Sequence, residues 1–415
     1  MSERRLARDV SPEVVVVGGG VIGCAIAREL AVDRRVLLLE RDRIAAGATG
    51  RAAGEVTMSP SYPDYPGIAA HANAFFDRYD ATGAIEYVEA PSVEPVSPDR
   101  EEAARARVDR LRNEVANGGL DVAFESPDAV ERRWPALDMS GYAGAVRFAN
   151  AGYLDPAELA DALRADAEES GARVETGVTV TGIRVDGEGD NGGDGTEPVG
   201  GTDGGADSGS VIGVETDHGA IDCSTVVAAA GWRTRELLAP DLPIPIRPYR
   251  TQCVVIRSPA LRGRDVSMGW LPGPDVYFRP MGEDELLVGG RSAAVDDPAA
   301  ASRSADGAFR EHASEIGSGL LADPDPVRIV DDWAGVDAAT PDTRPIVDRP
   351  AAGPDGLAVA TGFHGRGIMT APVAATLIRH RIEGTDPPFP GDPFALSRFE
   401  DRSADFRFAS ISDGG

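Results

Sequence analysis

The chain has 415 residues, 42% of them hydrophobic, enough for two domain-sized cores rather than one small one. Its formal net charge is −27 and every basic residue is arginine; such a surface repels nucleic acid and anionic membranes, and it fits a halophilic protein in concentrated salt or a genome rich in Arg, Ala, Gly and Asp codons. Cys24, Cys223 and Cys253 are too scattered for a metal or redox pair, the histidines show no ligand spacing, and no stretch reaches about 18 consecutive apolar residues, so the expectation is an acidic, cytoplasmic protein with no metal and no membrane span.

The first informative segment is 14–40. A β-branched run, Val14–Val17, is followed by Gly18, Gly20 and Gly23 in G-x-G-x-x-G spacing. Ile22, Ile26 and Leu30 then recur at helical spacing, and a second apolar run, 36–39, ends in Glu40 and Arg41. Strand, tight turn, helix, strand and acid in this order define a dinucleotide-binding βαβ unit. Gly18 permits the turn, Gly20 lets the backbone approach a pyrophosphate, and Gly23 lets helix and strand pack closely. Free N–H groups in the first helical turn, at Val21 and Ile22, would face the phosphates, and Glu40 is spaced to accept from ribose hydroxyls.

A loop of small residues, 45–54, follows, then helical pattern over 67–80, strand-like residues 85–97, a charged helix over 99–117 and a short helix over 126–134. Asp155-Pro156-Ala157-Glu158 is a helix start with a capping residue, proline at the first position and an acid to complete a capping box. Leu159 and Leu163 mark its buried face and Gly171 its stop. Residues 174–185 and 211–215 alternate as the two strands of a hairpin, joined by an acidic Gly-rich loop, 186–210, expected to be disordered. A strand over 221–230 ends in Gly231-Trp232. From about 242 the texture turns to antiparallel strands, at 252–257, 276–279 and 285–289, with a helix over 302–316. Near 332 it reverts, with a strand over 357–361 and a helix over 368–383 stopped by Gly384. The expected organisation is a discontinuous dinucleotide-binding domain (1–83, 146–235, 330–385), an interleaved second domain (84–145, 236–329) and a C-terminal tail (386–415).

Four blocks along nearly the whole chain resemble the D-amino-acid oxidase superfamily of FAD proteins, in its branch of glycine and sarcosine oxidases and dimethylglycine and proline dehydrogenases. They are GGGVIG at 18–23 with Glu40-Arg41, GATGRAAG at 47–54, VVAAAGW at 226–232, and WAGVDAATPDTRPIV at 333–347 followed by ATGFHGRGIMTAP at 360–372. The resemblance implies an α/β fold: an FAD-binding Rossmann-like domain of glutathione-reductase type, with an α+β substrate domain built on an antiparallel sheet. It implies an enzyme that oxidises the C–N bond of a glycine-, sarcosine- or proline-like amino acid by hydride transfer to FAD. A 2-hydroxy-acid oxidoreductase of the same fold, or a flavin-bearing assembly protein with little turnover, are the alternatives.

The resemblance also assigns residues. Ala48, Thr49, Arg51, Ala53 and Gly54 would pass close to pyrophosphate and isoalloxazine, Val178 would meet the adenine, and Ala230, Gly231 and Trp232 would end a strand beside the cofactor. Gly362, Gly365, Arg366, Gly367 and Ile368 would face the flavin edge that gains negative charge on reduction. Relatives that attach FAD covalently use a His where this chain has Arg51, or a Cys near the C-terminal block, where none occurs; the FAD is therefore expected to be non-covalent. The absence of lysine removes one device for activating oxygen, which tilts toward a dehydrogenase and leaves the electron acceptor, O2 or a protein or quinone carrier, open. The carboxylate-holding Arg of glycine-oxidase-like members corresponds to Asp337, which would pair with a cationic amine or stand as a solvated loop acid. Arg279 or Arg291, with Tyr277 nearby, would then hold a substrate carboxylate, and His364 is a candidate general base or a packing residue.

Overall fold

A computed structural model describes residues 11–114, 121–186, 209–322 and 326–410. The run Val14–Val17 is buried along its whole length because it lies inside a six-stranded sheet. The order is Ile346–Asp348, Leu357–Thr361, Thr225–Ala228, Val14–Val17, Val36–Glu40 and Arg173–Thr176. Every neighbouring pair is parallel except the first. Strands covered on both faces read as continuous apolar runs, and successive side chains go to opposite faces. Val14 and Val16 pack with the helices Val21–Leu30, Pro66–Asp80, Pro156–Glu169 and Gly367–Glu383. Val15 and Val17 pack on the other face against Val211 and Val214 of a three-stranded sheet.

The eight-stranded antiparallel sheet runs Arg328–Ala339, Arg247–Arg257, Glu285–Ala294, Val276–Pro280, Met268–Leu271, Ser92–Val96, Gly144–Phe148, Val122–Glu125, with one parallel pairing between Met268–Leu271 and Ser92–Val96. The helix Gly307–Leu320 covers one face, burying Phe309 and Ala313 against Val254, Ile256, Phe278 and Val288.

Several elements differ from the sequence expectation for local reasons. The alternation over 174–185 is two strands. Arg173–Thr176 joins the parallel sheet, the chain turns at Gly177 (φ 74°), and only Val180–Val185 pairs with Val211–Thr216. The expected strand 221–230 likewise divides into Ile221–Asp222 in the small sheet and Thr225–Ala228 in the parallel sheet. Arg328–Ala339, expected with the dinucleotide-binding segments, pairs with Arg247–Arg257 along its length instead. Most of the Gly-rich loop, 186–210, lies outside the described residues; at its root the Asp186 N–H donates to the Ser210 carbonyl at 2.9 Å. The helix at 156 is capped as its sequence predicts, with Asp155 Oδ1 accepting from the Ala157 and Glu158 N–H groups at 2.7 and 3.2 Å. The tail folds back, burying Phe394 and Leu396, and the Leu396 N–H donates to Asp348 Oδ2 at 2.8 Å.

The fingerprint glycines are where backbones meet. A Cβ on Gly23 would lie 1.8 Å from the Gly18 carbonyl oxygen, and one on Gly18 would lie 2.5 Å from that of Ala229. Gly47 in the next loop has nothing within 4 Å of such an atom. Overpacking of this kind costs about 1–3 kcal/mol. Gly23→Ala is expected to lower both melting temperature and retained flavin, while Gly47→Ala changes neither; thermal denaturation and the flavin-to-protein absorbance ratio of the two purified variants check this.

Candidate active site

A cleft of about 1970 Å³ runs from the carboxyl ends of the parallel strands to the antiparallel sheet. It is about twice the size usual for one small ligand, which leaves room for a dinucleotide and a second molecule. The carboxyl ends of such strands are where open α/β sheets bind ligands.

At one end the wall carries Gly18, Gly20, Val21, Ile22, Glu40, Arg41, Ala48 and Thr49. The helix Val21–Leu30 starts at Gly20 with no side-chain cap, so its N-terminus opens to the cleft. The Val21 N–H donates to Thr49 Oγ1 at 3.0 Å, which leaves the Thr49 hydroxyl hydrogen to donate elsewhere. Glu40 is held by two backbone amides: Gly19 N–H donates to Oε2 at 2.7 Å and Asp42 N–H to Oε1 at 2.8 Å. Each oxygen keeps acceptor capacity for a hydroxyl. Val178, whose N–H donates to the Glu40 carbonyl at 3.0 Å, lines the same end with Ala230, Gly231 and Trp232. The Arg233 guanidinium lies over the Trp232 ring at 3.8 Å, a contact the sequence reading missed.

Farther in, Arg51, Ala53 and Gly54 form one wall, and Gly365, Arg366, Gly367 and Ile368 another. The small-residue loop is pressed onto the antiparallel sheet. Trp333 Nε1–H donates to the Arg51 carbonyl at 2.9 Å, and a Cβ on Gly335 would meet Arg51 Cβ at 2.7 Å. Arg366 Nη1 donates to the Thr343 carbonyl at 2.9 Å, directly before the helix Gly367–Glu383. Two motif glycines are structural rather than wall residues: Gly23 lies in the first turn of the helix Val21–Leu30, against the Gly18 carbonyl, and Gly362 (φ 73°) turns beside Thr340, where a Cβ would sit 2.5 Å from Cγ2.

The substrate assignments change most. Arg279 does not line the cleft; its Nε donates to the Ala53 carbonyl at 2.5 Å, its Nη1 to Pro280 O at 2.8 Å, and its guanidinium covers the Tyr153 ring at 4.8 Å. It clamps the small-residue loop to the sheet, directing Nε and Nη1 to backbone carbonyls rather than to the cleft. Arg291 is exposed and also outside the cleft. His364 is fully buried behind the wall, its Nε2–H donating to the Ala409 carbonyl at 2.9 Å and its ring stacked on Phe408 at 5.7 Å. Burial and the Arg366 charge push its pKa down to about 4, so it is a neutral packing group rather than a base.

Tyr277 and Asp337 do line the cleft. Asp337 Oδ2 accepts from the Gly365 N–H at 2.8 Å and from the buried Tyr249 hydroxyl at 3.5 Å, and burial raises its pKa above the usual carboxylate range. Glu55 lines the same cleft, missed by the sequence reading although an acid directly after GATGRAAG in an otherwise apolar stretch was a signal. Burial raises the Glu55 pKa to about 8 against the lowering effect of Arg279, and its Oε1 has no hydrogen-bond partner. Among the described residues neither Glu55 nor Asp337 forms an ion pair, and none of their acids, histidines and cysteines cluster as a metal site. No helix among them is long and apolar enough to cross a membrane.

The family model for FAD-dependent oxidoreductases matches residues 13–381, and the chain belongs to that family. It is an FAD-dependent oxidoreductase. The chain is 28% identical to the glycine oxidase of Pseudomonas aeruginosa, over 93% of this chain and 99% of that protein. It is also 28% identical to the 4-methylaminobutanoate oxidase (formaldehyde-forming) of Paenarthrobacter nicotinovorans, over 60% of this chain but only 28% of that longer protein. Its fold is that of L-proline dehydrogenase from P. horikoshii, with a TM-score of 0.81, 23% identity and coverage of 94% of this chain and 98% of that one. The uncapped helix start at Gly20, the amide-held Glu40 and the length of the cleft fit FAD.

The raised carboxyl of Glu55 has a consequence for stability. A carboxyl whose pKa rises on folding stabilises fully below its unfolded value, and that stability is lost as pH rises to the folded value. For Glu55 the window runs from its ordinary 4.5 to about 8. Glutamine carries no such titration. The melting-temperature advantage of Glu55→Gln apoprotein over the unsubstituted apoprotein is expected to widen across this window and level off above it, as read by scanning calorimetry at a series of pH values.

Proposed function

We propose that this enzyme oxidises the C–N bond of an amine or N-alkylated amino acid bound as a cation. The observation that carries the reading is that the cleft carboxyls Asp337 and Glu55 form no ion pair among the described residues. A substrate ammonium supplies the missing charge and donors. A 2-hydroxy acid would bring a carboxylate with no cation to offset it, which argues against that alternative. The names of the relatives, oxidases and dehydrogenases of glycine, proline and 4-methylaminobutanoate, support an amine as the reducing substrate. When bound, FAD supplies the two-electron oxidant. Glu40 would accept from the ribose, the Gly20 helix start and Thr49 would donate to the pyrophosphate with Arg51 offsetting its charge, and Val178 would border the adenine. Asp337 is fixed by Gly365 and Tyr249 and would orient the ammonium, bringing the substrate carbon to roughly 3–3.5 Å of the oxidant.

Anaerobic mixing of the holoenzyme with sarcosine, L-proline, 4-methylaminobutanoate and 2-hydroxyglutarate tests the reading. At least one amine is expected to bleach the flavin band and the hydroxy acid is not; bleaching by the hydroxy acid alone refutes it. Asp337→Asn is expected to raise KM for the reactive amine by tenfold or more, the loss of a charge-assisted hydrogen bond of about 1.5–3 kcal/mol.

The Gly365–Gly367 turn and Arg366 would stabilise the reduced cofactor, because a helix N-terminus and a cation favour negative charge. Arg366→Ala is therefore expected to lower the two-electron midpoint potential by tens of millivolts, where about 30 mV corresponds to 1.4 kcal/mol. Potentiometric titration of both holoenzymes decides, and an unchanged midpoint assigns the stabilisation to the helix terminus alone.

A further inference from the structure

Asp337 and Glu55 share the cleft but not their bonding. Hydrogen bonds from the Gly365 amide and the Tyr249 phenol converge on Asp337 Oδ2, so its orientation is set before any ligand arrives. Glu55 sits in the two-residue strand Glu55–Val56, paired with Gly152–Tyr153, immediately after the Ala53-Gly54 stretch that walls the cleft. Its Oε1 is buried with no partner. The charged and polar groups that act on it are Arg279 and Tyr277 on the strand Val276–Pro280 and Cys253 on Arg247–Arg257, two strands over. Arg279 spends its Nε and Nη1 on carbonyls, and the Tyr277 hydroxyl is in contact with Cys253 Sγ at 3.5 Å. A buried carboxyl oxygen left without a donor costs free energy unless something else supplies a proton to it.

We propose that Glu55 is a catalytic residue: its carboxylate takes the proton that the substrate ammonium must lose before the C–N bond can be oxidised. This rests on the amine reading above. The N–H bond of the ammonium breaks and an O–H bond forms on Glu55. The freed nitrogen lone pair then forms the C=N bond as the carbon loses its hydride to FAD, the two-electron acceptor. The resulting iminium is released or hydrolysed by water, and the Glu55 proton leaves to solvent. An alkyl ammonium ionises near pH 10, so the unaided reaction near neutrality draws on a small fraction of free amine. A carboxyl poised two units lower accepts that proton from the bound cation, the kind of match that general bases use.

The test uses the holoenzyme and its Glu55→Gln and Glu55→Asp variants, with sarcosine, L-proline and 4-methylaminobutanoate as probes. Anaerobic stopped-flow reduction of the flavin is followed against pH. With the unsubstituted enzyme, reduction per unit of substrate is expected to rise through about pH 8. In Glu55→Gln it is expected to fall about 100-fold at that pH, to lose this inflection, and to recover only toward about pH 10 as the amine itself ionises. Glu55→Asp should regain part of the rate and an inflection below that of the amine. Independently of turnover, infrared difference spectra of the protein should show a carboxylic-acid C=O band that titrates away near pH 8 and is missing in Glu55→Gln. An unchanged rate and profile in Glu55→Gln, or no such band in the unsubstituted protein, overturns the proposal while leaving the amine reading intact. Failure of every amine to bleach the unsubstituted enzyme overturns both. If Glu55→Gln does not retain flavin, the Glu55→Asp profile and the infrared titration decide.

Discussion

Three backbones cross at Gly18, and the rest of the molecule depends on that contact. The strand Val14–Val17 delivers the chain there, the helix Val21–Leu30 leaves over it through Gly23, and Ala229 passes on its other side. Side chains would hold these segments apart. Without them the helix start is pulled down to the strand ends, its unspent N–H groups are aimed into the cleft, and Glu40 on the neighbouring strand comes within reach of the Gly19 amide. One steric allowance thus sets both the packing of the first helix and the polarity of this end of the cleft.

The second constraint is the seam between the parallel and antiparallel sheets. It is made by contacts that carry charge without exposing it. Arg279 reaches from the antiparallel sheet to the Ala53 carbonyl, Trp333 reaches to the Arg51 carbonyl, and Gly335 lets the two chains touch. These bonds satisfy carbonyls that a tight loop of small residues cannot satisfy itself. They also remove Arg279 from the cleft, whose lining keeps the acids Glu55 and Asp337 and the phenols Tyr249 and Tyr277 along with Arg51 and Arg366. Many of the arginines meet acids in ion pairs, whereas Glu55 and Asp337 form none among the described residues.

Much of this was legible in the sequence. The βαβ unit, the Asp155 cap, the Gly384 stop at φ 68° and the gathering of most motif-block residues along one cleft follow from local pattern or from the motif blocks. The misreadings share a cause. Alternation over 174–185 says that a strand is half buried but not which sheet it joins, and the left-handed turn at Gly177 sends its two halves to different sheets. A residue's distance from a motif is equally silent about where its side chain turns. His364 lies in the flavin-edge block yet points backward, onto a tail segment 45 residues later.

Periodicity, glycine spacing and helix signals act over a few residues, so the sequence by itself determined the dinucleotide-binding unit, the two kinds of sheet and the acidic, arginine-only character of the chain. The chemistry of the substrate end was decided only by tertiary structure. Whether Arg279 faces a ligand or a carbonyl 226 positions away, and whether Glu55 keeps a solvated charge or a buried proton, depends on which surfaces the fold brings together and how much water it excludes between them.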